Sequence, residues 1–415
     1  MTQPLFCPPV NSKNIILKGS FLFLFFITGN NVKCQISPSQ TAGQNLNTIT
    51  TAVPFVLITP DSRAGGMGDV GSATNPDVNS IFWNCAKLAF VEKSTGVGIN
   101  YTPWLRNIVP DVSLSYLSFY KRLDNYQTLG ASLRYFTLGE INFTGQNGEP
   151  LGNAKPNEFS VDVAYSRKLS DYLGVGVTLR YIFSNLALNI GQENQFKPGQ
   201  SVAGDLGFYY NKPILIGGKE SKIALGMSLS NMGNKMAYSE SGNTSFIPTN
   251  LRIGSTLTYN YDKYNSISFS VDFNKLLVPT NPIYVKDSVT GQTRILRGSD
   301  PNNKSVMEGI LGSFGDAPDG FAEELREINP SLGLEYLYHS VFALRAGYMY
   351  EHPTKGGRHY FTSGIGLKYS VFNLDFSYLI PVGMLQTNPL ANTLRFSLLF
   401  DLTEIKKTEE TPLSN

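Results

Sequence analysis

A strict alternation of apolar and polar residues runs through most of the chain after residue 94, and it restricts the possible fold more than any other feature. In the segment 267–273, ISFSVDF, apolar residues occupy every second position and serine or aspartate lies between them. The same pattern recurs at 159–163, 372–378 and 394–398. A period of two gives a β-strand one apolar and one polar face. The chain is therefore predicted to be all-β, as a soluble sandwich or as a membrane barrel.

The connections between the alternating segments favour the barrel. Outer-membrane barrels have short periplasmic turns and long extracellular loops in alternation, and the connections here are short and long in turn, with 212–220 as a medium-length exception. The sequence thus predicts a transmembrane antiparallel β-barrel of about fourteen strands over 94–403, with a tail at 404–415 and both termini on the periplasmic side. The predicted strands are 95–102, 111–121, 127–138, 158–168, 172–188, 201–211, 221–230, 250–260, 265–275, 331–338, 341–350, 359–369, 371–380 and 392–402.

Composition supports a single β-structure. Only 16% of the residues are charged, whereas the chain contains 39 glycines, 22 tyrosines and 26 phenylalanines. The mean hydropathy is slightly negative, which is too polar for a bundle of membrane helices that each need ~20 apolar residues. The formal net charge of +2 gives no electrostatic reason to expect nucleic acid as a partner.

The first 34 residues have the features of an export signal. Two lysines precede the short apolar run 20–27, SFLFLFFI, and cleavage is expected after Cys34. Cys34 could instead be a lipid acceptor, although the residues before it match that chemistry poorly. Residues 35–50 are rich in Ser, Gln, Thr and Asn and are predicted to be a flexible leader. Cleavage would leave Cys85 as the remaining cysteine, which excludes an intramolecular disulfide and a cysteine-based metal site.

Residues 51–93 differ from the strands because they have neither helical nor strand period. They are rich in glycine and short polar side chains, as a segment folded tightly inside a narrow lumen would need to be. We predict a plug at the amino-terminal end of the barrel; the alternative is an ordinary glycine-rich turn before a soluble β-domain. The plug-motif residues are Asp61, Ser62, Arg63, Gly65, Gly66, Met67, Gly68, Asp69, Trp83 and Asn84.

The connection 276–330 is much longer than an ordinary barrel turn, and ordered loops of this size are usually functional. It is predicted to be extracellular and to contain a short helix within 318–328, with Asp319 as a possible cap. Its apolar residues predict docking on a partner, and the candidate contacts are Val285, Ile295 and Leu296. A loop folded over the barrel mouth and packed on its neighbours would have the same composition.

The sequence contains little that indicates catalysis. Its three histidines, His339, His352 and His359, have no nucleophile motif beside them and are predicted to be solvated loop residues. No nucleotide-binding loop or zinc-spaced cluster occurs, so we predict no enzyme activity, no cofactor and no metal. Inward-facing charges of both signs suggest paired filling of the lumen instead of a selective ion channel. These are Arg134, Asp162, Arg180, Asp205, Arg252, Asp272, Arg345 and Asp375.

The plug sequence carries a family resemblance. The run over 51–90, TAVPFVLITPDSRAGGMGDVGSATNPDVNSIFWNCAKLAF, resembles the amino-terminal signature of the PorV family of the type IX secretion system of Bacteroidetes, which is similar to the FadL family of hydrophobic-compound channels. The stretch 59–71 favours PorV over the related PorQ barrel. One position departs from the family, because Cys85 stands where its members usually have proline, and this leaves the backbone freer.

The resemblance implies a FadL-like barrel of fourteen strands in the cell outer membrane, in contact with outer-membrane lipid. It also implies a role as a secretion component that binds the carboxy-terminal domains of cargo proteins. Its other partners would be the type IX translocon barrel and the surface attachment complex. The alternative function is a FadL-like channel for small hydrophobic molecules. A third and weaker alternative is a lipid A acyl hydrolase.

Overall fold

The structure, a computed structural model, describes residues 46–106, 109, 111–145, 147–186, 197–239, 244–286, 292–382, 390 and 393–402. The predicted signal peptide, most of the predicted leader and the carboxy-terminal tail lie outside these residues. Within the described part of the chain, no helix is long and apolar enough to cross a membrane.

Fourteen strands form one closed antiparallel barrel in which each strand pairs with the next along the chain and the last pairs with the first. The predicted fourteen-strand barrel is confirmed. The barrel strands are β1 (Thr95–Pro103), β2 (Ser113–Arg122), β3 (Gln127–Thr137), β6 (Asn157–Lys168), β7 (Leu173–Asn185), β8 (Gly199–Ile216), β9 (Lys219–Gly233), β10 (Asn250–Asn260), β11 (Ser266–Leu276), β14 (Asn329–Tyr338), β15 (Phe342–Tyr350), β16 (His359–Tyr369), β17 (Phe372–Pro381) and β18 (Leu394–Leu402). In the part of the chain that the structure describes, two hairpins lie outside the barrel, β4 (Ile141–Thr144) with β5 (Pro150–Ala154) and β12 (Ile283–Lys286) with β13 (Thr293–Arg297).

The register explains why the alternation is so regular. On β10 and β11, Leu257 lies opposite Phe269, and both side chains point outward and are exposed. The neighbouring pair Thr256 and Ser270 points inward, is buried and is joined by a hydroxyl hydrogen bond of 2.8 Å. An outward apolar and an inward polar face is the arrangement of a membrane barrel, because its outer wall contacts lipid.

The medium-length sixth connection predicted at 212–220 is wrong. Strands β8 and β9 continue to Ile216 and Lys219, and only Gly217 and Gly218 connect them. Both glycines have positive φ, 57° and 76°, as a two-residue hairpin turn requires. Pro213 and the charged residues beside it had interrupted the sequence alternation. With this correction, short and long connections alternate around the whole barrel, and we name its two ends the short-turn rim and the long-connection rim.

The described residues form four short α-helices: α1 (Ser62–Gly65), α2 (Ser80–Trp83), α3 (Val306–Gly312) and α4 (Phe321–Arg326). Helix α4 lies within the predicted range 318–328, but its N-cap is Gly320, so the predicted cap at Asp319 is wrong. Helix α3 was missed although a capping box marks it, in which Ser305 and Glu308 each accept from the other's backbone N–H.

The chain enters the barrel at the end opposite to the one expected. The backbone N–H of Asn47 donates to the Thr354 carbonyl, and that of Ala52 donates to the Phe246 carbonyl, both at 2.9 Å and both in long connections. At the other end of the plug, the Ser94 carbonyl accepts from Arg122 at the short-turn rim. The plug therefore runs from the long-connection rim to the short-turn rim, and the expected entry from the short-turn rim is wrong.

Candidate functional site: the plug and the long connection

The amino-terminal part of the plug is organised by Asp61. Its side chain accepts the backbone N–H of Ala64 at 2.9 Å, which caps α1, and the indole N–H of Trp83 at 2.6 Å. Asp61 is 1% exposed. Because both carboxylate oxygens are used, one buried side chain fixes the orientation of α1 relative to Trp83 at the end of α2.

Glycines of the plug face glycines of the wall. Gly68 has a φ of 68°, and its backbone lies against that of Leu332 and Tyr348. A Cβ on Gly347 of β15 would lie 2.1 Å from the Gly68 nitrogen. A side chain at either position would separate plug and wall, so the glycine-rich motif is required by close backbone approach. Met67, which lies between Gly66 and Gly68 in the sequence, is buried.

Arg63 joins the plug to the wall through charge. Its guanidinium binds both carboxylate oxygens of Glu335 on β14, at 2.8 and 3.0 Å, and binds Asp77 of the plug at 3.0 Å. Glu335 also accepts from Arg345, which pairs with Asp375 on β17. The members of this chain of alternating charges come from the plug and from three wall strands, β14, β15 and β17. Bidentate Arg–carboxylate pairs that are largely buried hold their geometry firmly.

Further hydrogen bonds secure the rest of the motif. Asp272 of β11 accepts the N–H groups of Gly71 and Ser72 at 2.8 and 2.9 Å. The remaining motif contacts reach other strands: Gly68 N–H donates to Thr362, Ser62 N–H donates to Ser397, and Tyr360 donates to Asp69. The structure thus brings the predicted plug-motif residues into contact with one another and with the wall.

The corner that departs from the family sequence is tightly packed. Asn84 accepts from Ala86 N–H and donates to the carbonyls of Ser72 and Phe208, the second at 2.8 Å. Cys85 is 3% exposed, so its thiol does not meet solvent. Burial of this kind makes a cysteine a small core residue instead of a reactive one.

The predicted inward charges line the lumen side of the wall, and most are paired. Arg180 lies between Asp162, at 2.7 Å, and Asp205, at 3.0 Å. Arg252 packs over the Trp83 ring. Arg134 differs, because it donates to the Val56 carbonyl at 2.6 Å and lies over Phe82. The pairs of Arg180 join neighbouring wall strands, and buried charges of both signs on this face agree with the prediction of a filled lumen.

The long connection is attached to the barrel through α4, which is oriented with its acidic side chains inward. Glu323, Glu324 and Glu327 are buried. Lys275 binds Glu324 and Glu327 at 2.9 and 2.6 Å, and Lys355 binds Glu323 and Glu327. Although burial opposes ionisation, the hydrogen bond and charge of Lys355 hold the pKa of Glu323 below its ordinary value. We call these five residues the clasp cluster.

The apolar residues of the long connection divide into two groups. Leu277 and Val278, at its start, are buried, as a loop packed on its neighbours requires. In the β12–β13 hairpin, Ile295 and Leu296 are exposed, whereas Val285 is half-buried. Sequence reasoning missed a second exposed apolar set on α3, α4 and the turn after α3, although spacings of three and four residues mark it. Its members are Met307, Leu311, Phe314, Phe321 and Leu325.

Each of the three histidines contacts residues of a nearby turn. The His352 side chain caps a 3-10 turn by accepting from Thr354 N–H, and burial lowers its pKa. His359 is hydrogen bonded to the Gly357 carbonyl, and His339 stacks on Tyr264. Among the described residues, no group of three His, Cys, Asp or Glu side chains is placed to hold a metal ion.

Comparison with known proteins identifies the family. A family model described as "Type IX secretion system protein PorV" matches residues 40–283. The chain belongs to this family. It is therefore an integral β-barrel of the outer membrane and a component of the type IX secretion system. No curated protein matches the chain.

Solved structures of outer-membrane channels are similar to this PorV-family barrel at low sequence identity. A mutant of the monoaromatic hydrocarbon channel TodX is 12% identical with a TM-score of 0.49, covering 82% of this chain and 99% of the channel. The toluene transporter TbuX of Ralstonia pickettii is 13% identical with a TM-score of 0.45, covering 83% and 98%. The toluene transporter TodX of Pseudomonas putida is 11% identical with a TM-score of 0.44, covering 86% and 98%.

Proposed function

We propose that this PorV-family barrel is a non-enzymatic adaptor that binds the carboxy-terminal domains of cargo proteins. In this role it associates with the translocon barrel and with the surface attachment complex. The observation that carries the proposal is the contrast between a filled lumen and a long connection that leaves apolar side chains exposed. A protein that binds others at its rim needs such a surface and does not need an open pore.

The filled lumen argues against passage of cargo through this barrel. The plug is held by the Arg63–Glu335 pair, by Asp272 and by the Gly68–Thr362 hydrogen bond, which reach different strands. Opening a path would break several buried charged hydrogen bonds, and leaving such groups unpaired costs about 1–3 kcal/mol each or more. A surface role requires none of these contacts to break.

The hairpin β12–β13 is the proposed partner-binding element. Its residues Ile295 and Leu296 are 38% and 57% exposed, on a two-stranded sheet that has no third strand. Isolated hairpins are marginally stable in water, and exposed aliphatic residues become strong anchors when a partner buries them. We propose that Val285, Ile295 and Leu296 contact cargo or translocon.

The alternative function, a channel for small hydrophobic molecules, requires an apolar cavity beside the plug. Two cavities of about 670 and 580 Å³ occur between turns at the short-turn rim, and no plug residue lines either of them. Their linings include Lys219, Glu220 and Lys222. Charged residues of both signs suit neither toluene nor a fatty-acid chain, so neither of these two cavities supports a hydrophobic channel.

Catalysis is not part of the proposal. His352 and His359 are engaged by their own turns, and a general base must reach the proton that it removes. Cys85 is buried inside the plug. The Thr354 hydroxyl does lie 2.9 Å from His352 Nδ1, but it belongs to the same capped turn and is buried.

The test is partner recovery from the outer membrane in mild detergent. A Cβ on Gly298 would lie 3.1 Å from the Pro282 Cα, so residues 283–297 can be replaced by a short glycine linker without moving the ends of the hairpin. We expect normal abundance of the variant and a loss of cargo and translocon of roughly a hundredfold, as for removal of a central set of anchors.

The matched control is a variant that lacks the other exposed hairpin, β4–β5. Removing residues 141–154 takes away a similar two-stranded sheet at the same rim and should leave recovery unchanged. Undiminished recovery after removal of 283–297 would disprove the assigned surface, and recovery of lipid or fatty acid without protein would support the channel instead.

A further inference from the structure

The clasp cluster joins the long connection to the start of the plug. The Asn47 side-chain amide donates to a Glu323 carboxylate oxygen and to the Asn281 carbonyl, both at 3.0 Å. In return, the Asn281 side chain donates to the Thr48 carbonyl at 2.9 Å. We name residues 46–53 the strap. Through Asn47 and Thr48, the strap is bound to both α4 and the first residues of the long connection.

Every carboxylate oxygen of the clasp cluster has a partner. Beyond the two lysines, Glu323 accepts from Asp319 N–H, Glu324 accepts from Ala317 N–H, and Glu327 accepts from the Thr280 hydroxyl at 2.7 Å. A buried polar network that is fully satisfied favours one arrangement strongly, whereas loss of one member leaves the others without compensation. The cluster is therefore suited to two states: a closed state in which all of these hydrogen bonds are made, and a released state in which they are broken together.

The plug itself has two layers with different attachments. The strap leads into an apolar cluster that includes Val53, Phe55 and Val56, and its polar contacts reach long connections. The deeper layer, from Asp61 onward, is attached to the strands by Arg63 and Asp272 instead. Releasing the clasp would remove polar contacts from the first layer and none of these from the second.

We propose that the clasp cluster is a conformational latch that holds the strap, and that its release opens the long-connection end of the plug while the deeper layer stays in place. Lys355 closes the latch from the β15–β16 connection, which also holds the strap directly through Thr354. This inference concerns a movement within the barrel, and it does not depend on which partner binds the hairpin.

The test uses single cysteines as reporters in outer-membrane fragments, with Cys85→Ser as the background. Ala52→Cys reports on the strap and Ala73→Cys on the deeper layer, and both positions are buried. With Lys355→Met, we expect maleimide labelling at position 52 to accelerate roughly tenfold or more, because Glu323 and Glu327 lose their shared partner. Labelling at position 73 should not change.

Two further variants keep the result decisive. Arg297→Met removes the exposed pair with Asp319 in the same connection and should leave both labelling rates unchanged. Glu323→Gln is the milder change if Lys355→Met fails to fold, as judged by the heat-dependent mobility of the barrel. Equal acceleration at positions 52 and 73 would indicate general loosening, and no acceleration at 52 in a folded variant would show that the cluster does not hold the strap; either result overturns the latch.

Discussion

The plug and the long connection 276–330 both bury charged side chains, but apolar residues are buried in the plug and exposed on α4 of the long connection. In the plug, Trp83, Met67 and Val70 are buried together with the charges. In the long connection, α4 and its C-cap residue Glu327 bury three glutamates, whereas Phe321 and Leu325 are 75% and 54% exposed. A helix that turns its acidic side to the barrel leaves its apolar side on the surface. The difference separates the apolar residues that the fold encloses from those that it leaves exposed.

The largest effect on this comparison should come from removing the wall carboxylate that Arg63 of the plug shares with Arg345. Glu335→Leu leaves Arg63 and Arg345 buried without their common partner, and breaking a buried pair in this way costs about 3–5 kcal/mol. The measurement is the free energy of unfolding of the refolded barrel in urea. Lys155→Met, which removes an exposed pair with Glu140, is the control and should cost less than about 1 kcal/mol. Equal losses would mean that the plug charges do not stabilise the fold.

The next prediction compares the stability cost of an arginine on the lipid-facing wall with its cost at two positions in the lumen. Phe269→Arg places a charge on the outer wall and should cost about 2–4 kcal/mol if the residue lies near the bilayer midplane. Ser377→Arg should also be costly, because a Cβ on Gly65 of the plug would already lie 3.1 Å from the Ser377 hydroxyl, and the lumen there has no room. Ser268 is 7% exposed, whereas Ser377 is fully buried, so the same change at Ser268 should be milder and should cost mainly its hydrogen bond to Thr258. A penalty at Ser268 equal to that at Ser377 would contradict uneven filling of the lumen.

A smaller effect should appear at low pH in the long connection. Because the folded-state pKa of Glu323 is lowered, mainly by Lys355 acting against burial, its contribution is present above the ordinary glutamate pKa of about 4.3 and is lost as pH falls through the lowered value. Hydrogen exchange of residues 46–53 should therefore accelerate below about pH 4, relative to the plug after Asp61. Glu323→Gln should abolish that dependence. A flat profile in the unmodified protein would show that Glu323 does not control the strap.

Much of the barrel could be predicted from the sequence because each strand carries its own alternating pattern of apolar and polar residues. A strand such as 266–276 shows its two faces through alternation alone. The clasp cluster could not be predicted, since Lys275 pairs with Glu324, and Lys355 with Glu323, across long separations that leave no periodic signal. The entry side of the plug was mispredicted for the same reason: it depends on backbone hydrogen bonds from Asn47 and Ala52 to distant connections.

The smallest expected effect concerns His352 and His359, and it tests whether the long-connection rim carries any chemistry. Replacing both with alanine should leave lipid A acylation and secretion unchanged, because each ring is used by its own turn. The cost in stability should not exceed about 1 kcal/mol, the usual value of a lost capping interaction such as that of His352. The measurements are mass spectrometry of lipid A and the amount of secreted cargo, each normalised to barrel abundance. Disappearance of a deacylated lipid A species at normal abundance would establish a hydrolase at this rim, and the exposed apolar side chains of α4 would then be candidates for holding acyl chains instead of proteins.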